Sequence, residues 1–286
     1  KVIRCWLQDA HERVFWDTAN AGGRLGRMDA ARGETPAFQV VIANPDDKVW
    51  RIGAAIEPPA GLTARIRRVG YVPVPHHNTD VPLDERDGVG HIPGYVPDPL
   101  FDEQELRLAP RETAAFWITV EVAKDCRPGA RRLPVTVRDL DSKRAVSLSA
   151  DLMVHKAVLQ PRRDFPVTHW FYNDALLDWY RLVPFEERYW TILRAYVEDV
   201  VRHGQDCLYV PVFTPPLDGV KSPSQLLRIA RRGGGYRFDW SDVKRYTDLA
   251  RKCGIRYFEW THFFTQWGVK YALRIYEGQG IGERLL

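Results

Sequence analysis

The stretch Cys207-Leu-Tyr-Val-Pro-Val-Phe213 decides the fold of the second half of this chain. It is a short apolar run, too short for a helix, and it reads as a buried strand. Downstream, Ser241 caps a helical pattern with Val243, Tyr246, Leu249, Ala250 and Cys253 on one side, and Gly254 closes it. Ile255-Arg-Tyr-Phe-Glu-Trp260 follows as a further strand. Upstream, Tyr189, Ile192, Leu193, Tyr196, Val197, Val200 and Val201 keep helical spacing and stop at Gly204, and Phe165-Pro-Val-Thr-His-Trp170 precedes them as a third strand. Strand, helix, strand, helix, strand is the signature of βαβ units on a parallel sheet. Leu226 to Arg231 and Tyr236 to Phe238 flank Gly233-Gly234-Gly235 and read as a hairpin excursion.

Before Pro161 the period is different. Phe38, Val40 and Ile42 alternate with their neighbours, as do Trp50, Ile52, Ala54 and Ile56. Ala114, Phe116, Ile118, Val120 and Val122 repeat the pattern, followed by Val146, Leu148, Ala150, Leu152 and Val154. Period-2 alternation buries one side of each strand. Asn44-Pro-Asp-Asp47, Pro58-Pro-Ala-Gly61 and Arg127-Pro-Gly129 separate the strands as turns. The expectation is a β-sandwich over 1–158, with the Pro-rich residues 73–110 as a long loop. The α/β part is then 163–286, about half of the roughly 250 residues that a complete (β/α)8 barrel takes. No fourth strand-helix unit is legible in Tyr271 to Leu286, so the reading is the N-terminal part of a barrel, truncated.

Composition narrows the function. Forty-one basic against 37 acidic residues give a net charge of +4, without a basic cluster, so no nucleic-acid partner is expected. No apolar run reaches the ~18 residues of a membrane span. Cys5, Cys126, Cys207 and Cys253 lie far apart without CxxC spacing; they read as four buried free thiols and lean towards a reducing, cytoplasmic compartment. Gly22-Gly-Arg-Leu-Gly26 has no helix after it and reads as a turn. No P-loop, GxSxG, HExxH or dinucleotide fingerprint occurs, and no cofactor is expected.

In a barrel the carboxyl ends of the strands carry function. Those ends offer His169, Trp170, Asp174, Thr214, Glu259, Trp260 and His262, with Gln266 and Trp267 in the last loop. Flat aromatic faces beside oriented polar groups suit a sugar, whose C–H face is apolar and whose hydroxyls need donors and acceptors. Trp179 and Trp190 read as core residues, and His203 as a helix-end residue facing the dipole. Glu259 also reads as a partner of Arg256 or Arg274. His169 and His262 lack a third metal ligand at recognisable spacing. His76-His77 reads as exposed.

The segments His169-Trp-Phe-Tyr-Asn-Asp-Ala-Leu-Leu-Asp-Trp-Tyr180, His203-Gly-Gln-Asp206, Val210-Pro-Val-Phe-Thr-Pro-Pro-Leu-Asp-Gly-Val220 and Tyr257-Phe-Glu-Trp-Thr-His-Phe-Phe-Thr-Gln-Trp267 resemble the catalytic domain of glycoside hydrolase family 123. Arg32-Gly-Glu34, Phe38-Gln39, Pro97-Asp-Pro-Leu100 and Pro128-Gly129 resemble that family's N-terminal β-sandwich. The resemblance implies a retaining, substrate-assisted β-N-acetylgalactosaminidase-like enzyme acting on a glycan with N-acetylhexosamine. The substrate's 2-acetamido oxygen attacks the anomeric carbon; an Asp orients the acetamide and the adjacent Glu protonates the leaving oxygen. Asp84-Glu85 and Asp102-Glu103 lie in the N-terminal loop, and Glu198-Asp199 is reversed. The expected pair therefore falls beyond Leu286, and the chain reads as a fragment, inactive alone, with Glu259 as an outside candidate for the acid. The reading from another class is a noncatalytic carbohydrate-binding protein.

Overall fold

A computed structural model describes residues 3–19, 25–77, 80–86, 88–160, 162, 164–215, 223–264, 268, 272–278 and 284–286. The chain divides into two compact units, Lys1–Pro161 and Arg162–Leu286.

The first unit is all-β. Its strands are β1 (Arg4–Asp9), β2 (Met28–Arg32), β3 (Ala37–Ala43), β4 (Trp50–Ile56), β5 (Leu62–Val74), β6 (Gly94–Phe101), β7 (Glu105–Leu108), β8 (Thr113–Val122), β9 (Gly129–Asp139) and β10 (Ala145–Val158). They form two five-stranded sheets, in the orders β1-β3-β8-β5-β6 and β2-β10-β9-β4-β7. All neighbours run antiparallel except β2 and β10. Phe38, Val40 and Ile42 of β3, Phe116, Ile118 and Val120 of β8, and Leu133, Val135 and Val137 of β9 are fully buried in one core shared by both sheets. Alternation delivers this: one side of each strand leaves water, at about 1.5–3 kcal/mol for each large apolar side chain. In β3 the other side is buried as well, because Val41 packs with Trp6, Val14, Val69 and Ala115 in a satellite cluster.

Residues 73–110 are not one long loop. They hold the end of β5, a 3-10 turn at Leu83–Glu85, and the strands β6 and β7. The prolines that hid β6, Pro97 and Pro99, are tolerated because β6 is an edge strand and need not donate on both sides. β7 is the edge of the other sheet and has only four residues. Gly22 and Gly23 of the glycine-rich stretch lie outside the described residues.

The second unit holds α1 (Asn173–Tyr180), α2 (Glu187–Arg202), β11 (Cys207–Val210), β12 (Arg228–Arg232), β13 (Gly235–Asp239), α3 (Ser241–Cys253), β14 (Tyr257–Trp260), β15 (Tyr276–Glu277) and β16 (Arg284–Leu285). β11 and β14 form a parallel pair, joined through α3. Tyr189, Leu193 and Val197 of α2 and Val243, Tyr246, Leu249 and Ala250 of α3 pack with Leu208 and Val210 of β11. Glycine ends α3: Gly254 has φ 116° and donates back to Ala250 and Arg251.

Several expectations change here. Residues 165–170 are not a strand: only Val167 engages the sheet, accepting from Asp206 N and Cys207 N at 3.2 and 3.1 Å. Pro166 has no N–H to give, and the Val167 N–H goes to the Asp206 carboxylate at 2.8 Å. The described residues of the second unit thus contain one parallel pair of strands rather than three parallel strands. α1 was not legible as a helix; it is only eight residues long and has no side-chain cap. Trp190 is buried, but Trp179 is 80% exposed and is not core. Ser241 is the first residue of α3 rather than its cap, which is Trp240. All four cysteines are free, yet only Cys126 and Cys207 are buried. The hairpin is β12–β13, closed by Gly233 and Gly234, both at positive φ as a two-residue I′-type turn demands.

Candidate functional site

The two faces of the β11–β14 pair are chemically different. Leu208, Val210 and Phe258 point to the helices and join their core. Strand alternation sends Tyr209 and Glu259 to the opposite face, and the register sets them side by side. α3 pins this arrangement from behind: the Tyr246 hydroxyl donates to the Tyr209 carbonyl at 3.2 Å.

On that face the carboxylate is gripped. The indole N–H of Trp170 donates to Glu259 Oε1 at 3.2 Å and Oε2 at 3.1 Å. His262, three residues past Glu259, lies with its ring centroid 5.1 Å from that of Trp170 and 5.7 Å from that of Tyr209. Its Nε2 stands 3.7 Å from Glu259 Oε1 and is sealed from solvent without a hydrogen-bond partner among the described residues. Tyr172 completes the group, edge-on to Tyr209 at 5.8 Å and 6.3 Å from Trp170. Trp170 remains 41% exposed and the Glu259 side chain 25%, so an apolar ring and part of a fixed carboxylate reach solvent together.

Electrostatics follow from the packing. Burial pushes the Tyr209 phenol up to about 12, helped by the Tyr172 and Glu259 charges, although a Thr261 contact opposes the rise. Burial also raises Tyr172, again with Glu259 and Asp174 nearby. Cys207 is raised by burial first and then by Glu259. Both phenols therefore stay protonated donors at neutral pH, beside a carboxylate that can accept.

Of the residues expected from sequence, Trp170, Glu259 and His262 come together. His169 is exposed, and its carbonyl accepts from Gln205 at 3.4 Å. Asp174 is buried in the first turn of α1. Thr214 is wholly buried; its hydroxyl accepts from Ser224 N and its carbonyl from Arg274 N, so it ties a loop rather than meeting a ligand. Trp260 is half-exposed but adjoins Glu259 in the strand, so alternation turns it to the other face. Trp267 and Gln266 lie outside the described residues. Among the described residues Glu259 forms no ion pair with Arg256 or Arg274; its side chain meets Trp170 and His262. His203 caps α2, taking the Asp199 carbonyl at 2.8 Å. Sequence reasoning did not pick out Tyr209; Tyr172 stands at the end of the 165–170 segment, where function was expected, but was not counted in the sugar face. The signal for Tyr209 was present: a lone polar aromatic among aliphatics, in the same strand parity that Glu259 takes in β14. Among the described residues no group of three or more His, Cys, Asp or Glu could hold a metal ion.

The model of the glycoside hydrolase 123 catalytic domain matches residues 170–283. The second unit matches a glycoside hydrolase family 123 catalytic domain. The family 123 glycoside hydrolase from Clostridium perfringens, solved for the details of glycolipid glycan hydrolysis, superposes on this chain with a TM-score of 0.73 at 11% identity. That superposition covers 100% of this chain and 52% of the other. The chain thus spans about half the length of that solved relative, and the likeness is one of fold. A FixG-related protein from Vibrio parahaemolyticus covers 54% of this chain and 97% of its own at 6% identity, with a TM-score of 0.30. No curated protein matches. All the paired residues of the site, from Trp170 to His262, fall inside the family 123 match.

Proposed function

We propose that this chain supplies the sugar-recognition face of a glycoside hydrolase that cleaves terminal β-N-acetylgalactosaminides, with retention and with assistance from the substrate's own acetamide. In this reading the first unit is a β-sandwich scaffold and the second is the opening part of a (β/α)8 barrel. The observation that carries it is the Trp170–Glu259 contact: a carboxylate held by an indole whose ring face is open, inside the segment that matches family 123. Glu259 accepts sugar hydroxyls, Trp170 packs on the ring's C–H face, and the protonated Tyr172 and Tyr209 keep the carboxylate's surroundings fixed. The fixed geometry matters because orientation of the bound sugar is what allows its acetamide oxygen to reach the anomeric carbon.

Within 162–286 no Asp is followed directly by Glu. In this reading the proton for the leaving oxygen therefore comes from outside these residues, and residues 1–286 bind the sugar without hydrolysing it. The test is calorimetric titration with N-acetylgalactosamine-terminated oligosaccharide, alongside turnover of an aryl β-N-acetylgalactosaminide. Binding lost in Glu259→Gln, with no turnover, is expected. Turnover by residues 1–286 that Glu259→Gln abolishes would make Glu259 the acid instead. Binding that Glu259→Gln leaves intact would place the sugar elsewhere.

A further inference from the structure

The connection from β11 to α3 carries the β12–β13 hairpin, which the site above does not use. Every residue of 230–240 is exposed, and three of them are large aromatics: Tyr236, Phe238 and Trp240, each half-exposed. They recur at every second position, so Tyr236 and Phe238 share one face of β13 and Trp240 continues the row to the start of α3. Four residues of extended chain put roughly 13 Å between the first and last α-carbons. A row of exposed rings of this kind marks a binding surface, since scattered single apolar residues are the norm.

The hairpin is also cationic. Arg231 lies opposite Tyr236 and places its guanidinium 5.7 Å from that ring's centroid. Arg231, Arg232 and Arg237 form no ion pair within 4 Å among the described residues, although the charge of Arg237 helps to hold the Asp239 carboxyl below its ordinary range. The nearby acids are engaged: Asp242 pairs with Arg228 at 2.7 Å, Asp239 accepts from Ser241 N at 2.9 Å, and Glu277 accepts from Arg231 N at 2.9 Å. Arg231 shares the aromatic face, while Arg232 and Arg237 edge the tip from the other side.

We propose that this hairpin binds an anionic glycan chain, one bearing sulfate or carboxylate groups, its sugar rings lying on Tyr236, Phe238 and Trp240 and its anions meeting the tip arginines. The proposal rests on the sugar-recognition reading above, because a loop following a strand's carboxyl end belongs to the functional end of a parallel sheet. Aromatic rings alone would fit neutral sugars or a membrane surface equally; the regular row beside unpaired guanidinium groups favours a charged, extended glycan. Planar guanidinium pairs with sulfate or carboxylate through two parallel hydrogen bonds.

The experiment titrates the whole chain with dextran sulfate and with unsulfated dextran of the same length, read by Trp fluorescence or affinity electrophoresis. Dextran sulfate is expected to bind at least tenfold more tightly than dextran. The Tyr236→Ala/Phe238→Ala variant should lose at least tenfold, and Arg232→Gln/Arg237→Gln should weaken binding with the rings intact. Glu259→Gln should bind dextran sulfate as the parent does, which separates this surface from the Trp170–Glu259 face. Undiminished binding by the ring variant would overturn the proposal, as would no preference for the sulfated polymer. Loss of binding in Glu259→Gln would move the glycan to the other face. Binding to phosphatidylserine vesicles without binding to dextran sulfate would make the hairpin a lipid-surface element and also overturn it.

Discussion

Trp170 reaches across 89 positions of sequence to hold both carboxylate oxygens of Glu259 with a single indole N–H. A hydrogen bond to a charged acceptor is worth about 1.5–3 kcal/mol, and here its value lies in fixing where the acceptor points. Trp170→Phe keeps a ring and removes the donor. Sugar affinity by calorimetry should fall several-fold, with folded stability changed far less, while Trp170→Ala should fall further because the ring face is lost too.

Tyr209 adds an alkaline limb to stability. Its folded value of about 12 lies above the ordinary phenol value of 10, so the native state holds a proton that the unfolded chain releases first. This stabilisation is complete below pH 10 and is lost as pH rises from 10 through 12. Tyr71 in the first unit, also raised to about 12 by burial, adds a second such group. Tyr209→Phe should flatten the decline of urea-unfolding midpoints between pH 10 and 12, and phenolate absorbance should show one fewer late-titrating group.

Gly254 cannot take a side chain cheaply. Its φ is 116°, and a β-carbon there would stand 3.0 Å from Val201 Cγ1 of α2. Both backbone strain and contact oppose substitution, so Gly254→Ala should destabilise by about 1–3 kcal/mol, measured by urea unfolding. Phe116→Ala in the buried face of β8 is a pure packing loss and should cost about 3–5 kcal/mol by the same measurement.

Period-2 alternation made the first unit readable, because each of its long strands buries one side in a common core. β6 escaped notice since Pro97 and Pro99 contradict strand propensity, and only its edge position makes them acceptable. In the second unit, α2, α3, β11 and β14 were legible from spacing and their glycine stops. The failure at 165–170 has the opposite cause: the sequence has strand-like residues, but Pro166 and the Asp206 carboxylate take the place of a ladder. At the candidate site, residue type singled out Trp170, Glu259 and His262, which the structure brings together. Facing was not legible for Thr214 and Trp260, because proximity to a strand end does not say which side a residue takes. Register with β11 was needed to find Tyr209.

The same substitution for a ladder gives the last prediction. Asp206 accepts Val167 N and Arg162 Nη2, each at 2.8 Å, while its carbonyl accepts Arg256 N and Tyr257 N at 2.9 and 3.0 Å. One residue therefore fastens the segment leading to Trp170 and the start of β14. The Val167 N–H holds its carboxyl below the ordinary range, with Arg162 and Arg256 assisting. A depressed value means stability present above the unfolded value and lost as pH falls through the folded one. Asp206→Asn should remove that acid limb and free the Val167 N–H from a charged acceptor. Trp170 then loses its anchor three residues upstream while its own indole remains. Sugar affinity should drop although no contact residue has changed, and amide hydrogen exchange at Val167 and Thr168 should speed up. Faster exchange with unchanged affinity would show that Trp170 is held by Glu259 alone.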